Sequence, residues 1–115
     1  MNGQHFILDA VCDTEERAKL DDEQLMQKVL SELPDVIGMN KLAVPFIVRG
    51  AEHNPGLTGV AIIETSNIVL HTFTETGKFS LDIFSVKPID EEKVLSYMKE
   101  KFNFRILRRN MFERL

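Results

Sequence analysis

The sequence has little of what several functional classes require. Cys12 is the only cysteine, so neither an internal disulfide nor a cysteine-rich zinc site can form, and a free thiol suits a reducing compartment. Positive charge is not in excess, because 14 basic residues against 18 acidic ones leave a net charge of -4. Such a chain has no field that attracts phosphate backbones or anionic lipids. We therefore expect a small-molecule ligand, with no nucleic acid and no membrane as partner.

Long apolar runs are also missing. The first residues, MNGQHFILDA, have neither a basic region nor an apolar stretch of signal-peptide length, and no later run approaches the length of a membrane span. This pattern predicts a cytoplasmic protein. Low-complexity segments and short tandem repeats are absent as well, which predicts one domain over residues 1–115. Hydrophobic residues make up 43% and charged residues 28% of the chain, so it should fold around a modest core.

The hydrophobic pattern predicts eight elements in the order βαββββαβ. Apolar runs between turn residues indicate strands, and apolar residues recurring at helical intervals indicate helices. The predicted strands are His5 to Cys12, Leu42 to Val48, Thr58 to Glu64, Ile68 to Phe73, Phe79 to Phe84 and Phe104 to Leu107. The first helix is predicted to begin at a cap on Asp21 or Asp22 and to end at Pro34, and the second to begin at Asp90.

This order of elements predicts an α+β fold. Four consecutive strands, separated by segments that contain Gly or Pro, favour an antiparallel meander. Two helices cannot cover both faces of so wide a sheet, so they should lie on one face and form a two-layer αβ sandwich. The other face then needs a partner, and we expect a homodimer.

Reactive side chains are densest between Glu64 and Phe84, where Ser66, His71 and Glu75 follow one another closely. Ser66 and His71 are five residues apart, and this odd spacing points them to opposite faces of a single strand. A serine and histidine pair therefore needs a turn or a second subunit between them. No nearby spacing supplies the set of ligands that zinc requires, so no metal is expected. Ser66 with Asn67 also suits an ordinary hairpin turn.

The segment from Gly56 to Phe84 resembles the short bacterial and archaeal class of S-adenosylmethionine decarboxylases. The similarity runs through this segment without a gap and continues at the start of the chain in Gly3, His5, Asp9 and Cys12. The residues that carry it are Gly56 to Ile63, Thr65 to Asn67, Leu70 to Phe73, Glu75, Gly77 and Asp82 to Phe84. The family's fold is likewise a two-layer αβ sandwich whose protomers dimerise.

The resemblance implies that the chain cleaves itself. In this family the serine that matches Ser66 attacks the carbonyl group of the preceding residue, here Thr65, and the ester that results is eliminated to leave a pyruvoyl group. The cleaved protein would be an (αβ)2 heterotetramer. His71 and Thr58 match positions that assist, and by the family's geometry they come, together with Glu75, from the subunit opposite Ser66. The pyruvoyl ketone forms a Schiff base with the substrate and accepts electrons as CO₂ departs.

The resemblance also implies S-adenosylmethionine as the substrate, decarboxylated for spermidine biosynthesis. Glu75 matches the acid that binds the ribose hydroxyls. His53 is the nearest residue to the position of the aromatic side chain that stacks on adenine. Val86 occupies the position of the cysteine that returns a proton to the substrate, and its side chain cannot transfer a proton. Cys12 could take over that role only if the first strand passes the site, and it is more simply a small core residue.

Two alternatives stay open on the sequence alone. A pyruvoyl decarboxylase with a changed substrate, such as a basic amino acid, is motivated by Val86 and by the weak match around His53. An unprocessed homologue that serves as a binding or regulatory partner is motivated by Thr65, Asn67 and Val86, because the family usually has a glutamate before the serine, a histidine after it and a cysteine at the third position.

Overall fold

The computed structural model describes residues 2–115, which form a six-stranded sheet, two α-helices and one 3₁₀ helix. The elements are β1 (Gly3–Cys12), the 3₁₀ helix (Thr14–Asp21), α1 (Glu23–Val36), β2 (Phe46–Arg49), β3 (Leu57–Ile63), β4 (Ser66–Phe73), β5 (Lys78–Ser85), α2 (Glu91–Lys101) and β6 (Phe104–Arg114). The predicted order of strands and α-helices is confirmed. The 3₁₀ helix is an addition, in a charged connection for which the sequence predicted no element.

The sheet is antiparallel throughout and has the strand order β2-β3-β4-β5-β1-β6. The predicted meander from β2 to β5 is confirmed. β1 lies between β5 and β6, so its apolar run belongs to an interior strand, and β2 and β6 form the two edges. The register places Thr58 opposite His71 and His71 opposite Ser80, which aligns three polar side chains across neighbouring strands.

Both α-helices pack on one face of the sheet. Along β3, β4 and β5 the buried residues alternate with partly exposed ones, as a sheet covered on one side requires. α1 buries Met26, Val29, Leu30 and Leu33 against this face, and α2 buries Val94, Leu95 and Met98. We call the other side, which carries Thr58, His71 and Ser80, the open face. Within residues 2–115, none of the helices combines the length and apolar content needed to cross a bilayer.

The predicted end of the first helix at Pro34 is wrong, because α1 continues to Val36 with Pro34 inside it. The helix ends instead in a Schellman motif around Gly38, which has a φ of 70°. The Met39 amide donates to the Pro34 carbonyl at 2.9 Å and the Gly38 amide to the Asp35 carbonyl at 3.1 Å. A proline so close to the end of a helix removes one hydrogen bond without preventing the last turn.

None of the six predicted strands has the observed bounds at both ends; four differ by at most two residues at an end, and two differ by more. The strand predicted from Leu42 to Val48 is confined to β2, since Pro45 has no amide to donate, and Lys41 makes only an isolated bridge to Ile63. The last strand was predicted to end at Leu107, but β6 runs on to Arg114 because its second half pairs with β1. Leu107 lies at a bulge in that pairing, between the residues opposite Asp9 and Ala10.

Candidate functional site

The turn between β3 and β4 holds a strained residue next to a serine. Glu64 and Thr65 form this two-residue turn, and Thr65 has a φ of 55°. A β-branched residue seldom adopts this left-handed conformation, which costs roughly 1–3 kcal/mol where it is imposed. The Thr65 hydroxyl donates to the Glu64 carbonyl at 2.7 Å. The strain therefore lies directly on the N-terminal side of the peptide bond between Thr65 and Ser66.

Ser66 is the first residue of β4, and its side chain points to the helix-covered side, where it is 7% exposed. Its hydroxyl oxygen accepts a hydrogen bond from the backbone amide of Val86, with an N to Oγ distance of 3.3 Å. Val86 follows β5 and is half-buried against the core. The structure thus brings together Ser66 and Val86, which are 20 residues apart in the chain.

Thr58 and His71 lie opposite each other on the open face. The Thr58 Oγ1 and His71 Nδ1 atoms are 2.8 Å apart, within hydrogen-bonding distance, and both side chains are partly buried. A hydroxyl paired with an imidazole in this way is suited to moving a proton. His53, in the exposed connection before β3, lines a cavity of about 190 Å³ together with these two residues.

Glu75 lies in the turn between β4 and β5 and borders a larger cleft of about 690 Å³. Asp9, Phe73 and Arg108 also line this cleft. Phe73 and Asn54 border both cavities, so Glu75 is close to the group formed by His53, Thr58 and His71. Within residues 2–115, no cluster of three or more His, Cys, Asp or Glu side chains is placed to hold a metal ion.

Ser66 does not reach this group within one chain. Ser66 and His71 are five residues apart on β4, which is roughly 16 Å at about 3.3 Å per residue. Their side chains also point to opposite faces of the sheet, as the odd spacing predicts. Within one chain, Ser66 therefore lies at one end of β4, and His71, paired with Thr58 of β3, lies toward the other end.

The sequence did not single out three residues of the cleft, Ser80, Arg108 and Phe73, as functional positions. The Ser80 hydroxyl donates to Asp9 Oδ1 at 2.8 Å, across a pairing that joins residues 71 positions apart, and no sequence pattern reports such a contact. Arg108 belongs to a basic stretch that reads as a solvated strand edge. Phe73 could have been identified from the sequence, because it is an aromatic residue within the segment that resembles the family.

Cys12 is remote from Ser66. It lies at the end of β1 that pairs with Phe104, whereas Gln4, opposite Ser85, lies at the other end. Ser85 precedes Val86, whose amide contacts Ser66, so Gln4 marks the end of the sheet where Ser66 lies. Cys12 and Gln4 are eight positions apart on β1, or roughly 26 Å. Cys12 is 4% exposed, and burial above all, with the negative charges of Glu16 and Asp13, raises its pKa to about 11. It is a core thiol and does not take the place of an acid at Val86 in its own chain.

The fold has a solved counterpart. The crystal structure of the adenosylmethionine decarboxylase from Aquifex aeolicus VF5 matches 97% of this chain and 88% of that chain with a TM-score of 0.72 and 19% sequence identity. The architecture is thus the α+β fold of an adenosylmethionine decarboxylase, with its six-stranded antiparallel sheet.

Sequence relatives identify the family itself. The family model described as S-adenosylmethionine decarboxylase matches residues 4–115. An S-adenosylmethionine decarboxylase proenzyme from Clostridium botulinum (strain Loch Maree / Type A3) is 28% identical over 106 residues, covering 90% of this chain and 86% of the relative. One from Pyrococcus furiosus is 32% identical over 103 residues, covering 87% of this chain and 69% of the relative. The chain belongs to the S-adenosylmethionine decarboxylase family, in its short prokaryotic class.

Proposed function

We propose that this chain is a proenzyme that cleaves itself between Thr65 and Ser66, and that the resulting pyruvoyl enzyme decarboxylates S-adenosylmethionine for spermidine biosynthesis. The observation that carries the proposal is the left-handed conformation of Thr65, directly before the buried hydroxyl of Ser66. A turn needed only for folding would favour Gly or Asn at such a position. A threonine held there is better explained by chemistry at the adjoining peptide bond.

The cleavage follows from the chemistry of Ser66. Its Oγ bonds to the carbonyl carbon of Thr65, the bond from that carbon to the Ser66 nitrogen breaks, and the hydroxyl proton passes to the nitrogen. Loss of the Ser66 α-proton then expels the Thr65 carboxylate as the Cβ to oxygen bond breaks. Tautomerisation and the addition of one water release ammonia. The products are residues 1–65, with a new carboxylate, and residues 66–115, with an N-terminal pyruvoyl group.

The residues around the two cavities are suited to the decarboxylation. A pyruvoyl group supplies a ketone that condenses with an α-amino group and accepts the electron pair released as CO₂ departs. His71, 2.8 Å from Thr58, would move protons during cleavage and turnover. Glu75 would accept hydrogen bonds from the ribose hydroxyls, and His53 would lie against the adenine.

A shared site in a homodimer is part of the proposal, since Ser66 and His71 lie on opposite faces of their own sheet. Each site would combine Ser66 of one copy with the Thr58 and His71 pair of the other, and the cleaved form would be an (αβ)2 heterotetramer. The open face supports such an association because Phe46 and Val48 on it are 60% and 63% exposed. Exposed apolar patches of this kind mark interaction surfaces.

Intact-protein mass spectrometry of the wild type and of Ser66→Ala tests the proposal. We expect the wild type to separate into two fragments with a pyruvoyl-blocked N-terminus on the second, and to release CO₂ from carboxyl-labelled S-adenosylmethionine. Ser66→Ala should stay intact and folded, because it removes one hydroxyl and one hydrogen bond from the Val86 amide, a cost of about 1–3 kcal/mol that is less than the stability of a typical domain. A wild type that remains uncleaved after long incubation contradicts the proposal and favours a binding or regulatory role. Extensive cleavage of Ser66→Ala would place the nucleophile elsewhere.

A second function is favoured by the two carboxylates of Asp9 and Glu75, which line the same cleft. Lys78 and Arg108 line the cleft as well, so it offers partners for both the cationic side chain and the carboxylate of a basic amino acid. The alternative is therefore a pyruvoyl decarboxylase that acts on a basic amino acid. Release of CO₂ from arginine, ornithine or lysine by the cleaved protein would support this alternative. Release from S-adenosylmethionine alone excludes it.

A further inference from the structure

The turn before Ser66 is held from the side by Asn40. The backbone amide of Glu64 donates to the Asn40 carbonyl at 3.0 Å. The Asn40 side-chain amide in turn donates to the Glu64 carboxylate, with an Nδ2 to Oε2 distance of 3.2 Å. One residue therefore holds Glu64 through both its backbone and its side chain, next to the strained Thr65.

Asn40 is itself firmly placed, since it belongs to a short segment, residues 39–42, that is attached on both sides. Met39 is 5% exposed, and its amide donates to the Pro34 carbonyl at the end of α1. At the other end of the segment, the Leu42 amide donates to the Ile62 carbonyl on β3 at 3.0 Å. The segment thus joins the end of α1 to the hairpin and transmits the position of the helix to the turn.

Strain persists only where the surroundings leave a residue no relaxed alternative. On its C-terminal side, the turn is fixed by the pairing of Ser66 with Ile63 and by the Val86 amide that donates to the Ser66 hydroxyl. With Glu64 held as well, both neighbours of Thr65 are fixed, and any relaxation of Thr65 that displaces Glu64 would break the contacts to Asn40.

We infer that Asn40 is a positioning residue for self-cleavage, which keeps Thr65 in its left-handed conformation by holding Glu64. The inference rests on the proposed cleavage between Thr65 and Ser66 and assigns Asn40 no contact with the reacting atoms. Loss of its side-chain bond to Glu64 slows cleavage without unfolding the protein, because both side chains are exposed.

The chain offers a rescue pair and a matched control. Asn40→Asp sets two carboxylates against each other at the turn. Adding Glu64→Gln restores the hydrogen bond with donor and acceptor reversed. Asn103 is the control, since its side-chain amide donates to Asp13 Oδ2 at 3.3 Å, an exposed asparagine and acid pair at the other end of the sheet. Asn103→Asp makes the same change of charge and chemistry away from the turn.

The measurement is a time course of chain cleavage after cell-free synthesis, followed by denaturing electrophoresis, together with the thermal midpoint of each variant. We expect Asn40→Asp to be cleaved about tenfold more slowly than the wild type, which corresponds to about 1.4 kcal/mol in the activation free energy. Asn40→Ala, which removes the donor without adding charge, should change the rate in the same direction. The double variant should recover to within about twofold of the wild-type rate, since the two sites share one contact. Asn103→Asp should keep the wild-type rate at a thermal midpoint similar to that of Asn40→Asp.

Three results overturn the inference alone: cleavage of Asn40→Asp at the wild-type rate, an equal slowing in Asn103→Asp, or a failure of Glu64→Gln to rescue Asn40→Asp. If the wild type itself stays intact, the proposed function and the inference both fail. The wild-type lane therefore separates the two failures.

Discussion

Under the proposed function, Val86 is a residue with a direct consequence for turnover. Its backbone amide donates to the Ser66 hydroxyl at 3.3 Å, so the backbone at this position lies next to the proposed reacting group. Valine has no proton to give. In the proposed reaction, the substrate carbon that loses CO₂ would have to take its proton from water or from another group, and protonation of the pyruvoyl carbon instead would inactivate the enzyme by transamination.

Val86→Cys should therefore raise the turnover per cleaved site. General acids contribute large factors, so we expect an increase of roughly tenfold or more and fewer inactivation events per turnover. The measurement is CO₂ release normalised to the pyruvoyl content of each preparation, with Val86→Ala as the control for side-chain size. An equal rate for all three proteins would mean that another group already supplies the proton.

Cys12 should behave as an inert thiol. Burial, together with the charges of Glu16 and Asp13, raises its pKa to about 11, so the reactive thiolate is scarce at neutral pH. We expect the folded protein to react very slowly with a thiol-specific reagent at pH 8 and the urea-unfolded protein to react at once. The folded rate should rise with pH up to about 11, because deprotonation of the thiol limits the reaction. Fast labelling of the native protein at pH 8 would contradict this burial.

Among the elements, the 3₁₀ helix positions parts of the candidate site, and its sequence gives no indication of this role. The Thr72 hydroxyl on β4 donates to the Leu20 carbonyl of this helix at 2.7 Å and accepts from the Leu57 amide of β3 at 2.9 Å. Arg17 of the same helix donates from Nη1 to the Glu75 carbonyl at 3.0 Å. The helix therefore fixes the turn that carries Glu75 relative to the strands that carry Thr58 and His71.

The packing of α1 on β3 depends on Gly59. A Cβ at this position would lie 2.2 Å from the Leu30 Cδ1 atom and 3.2 Å from the Met26 Cγ atom, so the helix and the strand would have to separate or repack. We expect Gly59→Ala to lower the free energy of unfolding by about 1–3 kcal/mol through overpacking. Urea denaturation measures the change.

Leu30→Val provides the matched test of this contact, since it removes the clashing Cδ1 atom. In the Leu30→Val background, the cost of Gly59→Ala should be smaller than in the wild type. Equal costs in the two backgrounds would show that the clash is not with Leu30 but with the other neighbours of the added Cβ, of which Ile47 Cδ1 on β2 is the nearest at 3.0 Å.

At the scale of the whole molecule, the two faces of the sheet have different roles. The helix-covered face contains the core and Ser66, while the open face carries His71 and the clefts next to it. In the proposed dimer, a second copy would bring its histidine to the serine of the first chain. The dimer would then serve the proposed chemistry as well as cover apolar surface.

Mixed dimers test this arrangement. We expect differently tagged Ser66→Ala and His71→Ala chains to remain uncleaved when each is produced alone. On coexpression, the His71→Ala chain should be cleaved in mixed dimers, because the partner provides the histidine. Tag-specific mass spectrometry reports which chain is cut. If the His71→Ala chain is cleaved equally with and without the partner, or in neither case, the site is not shared in this way.

The sequence by itself determined the order of the elements, the two-layer architecture and the family, because these depend on local periodicity and on a run of matched residues from Gly56 to Phe84. It also predicted that Ser66 and His71 face opposite ways, since alternation along a strand is a local rule. Helix α1 shows where prediction from the sequence fails. Pro34 indicated the end of the helix, whereas the observed end depends on Gly38.

Only the tertiary structure decided the rest of the candidate site. Three hydrogen bonds join residues distant in the chain: Val86 to Ser66, Ser80 to Asp9 and Asn40 to Glu64. Such contacts depend on strand order and register, which arise from the burial of the whole apolar face at once. The left-handed Thr65 belongs with them: its own residue type disfavours that conformation, so the surrounding contacts must hold it there.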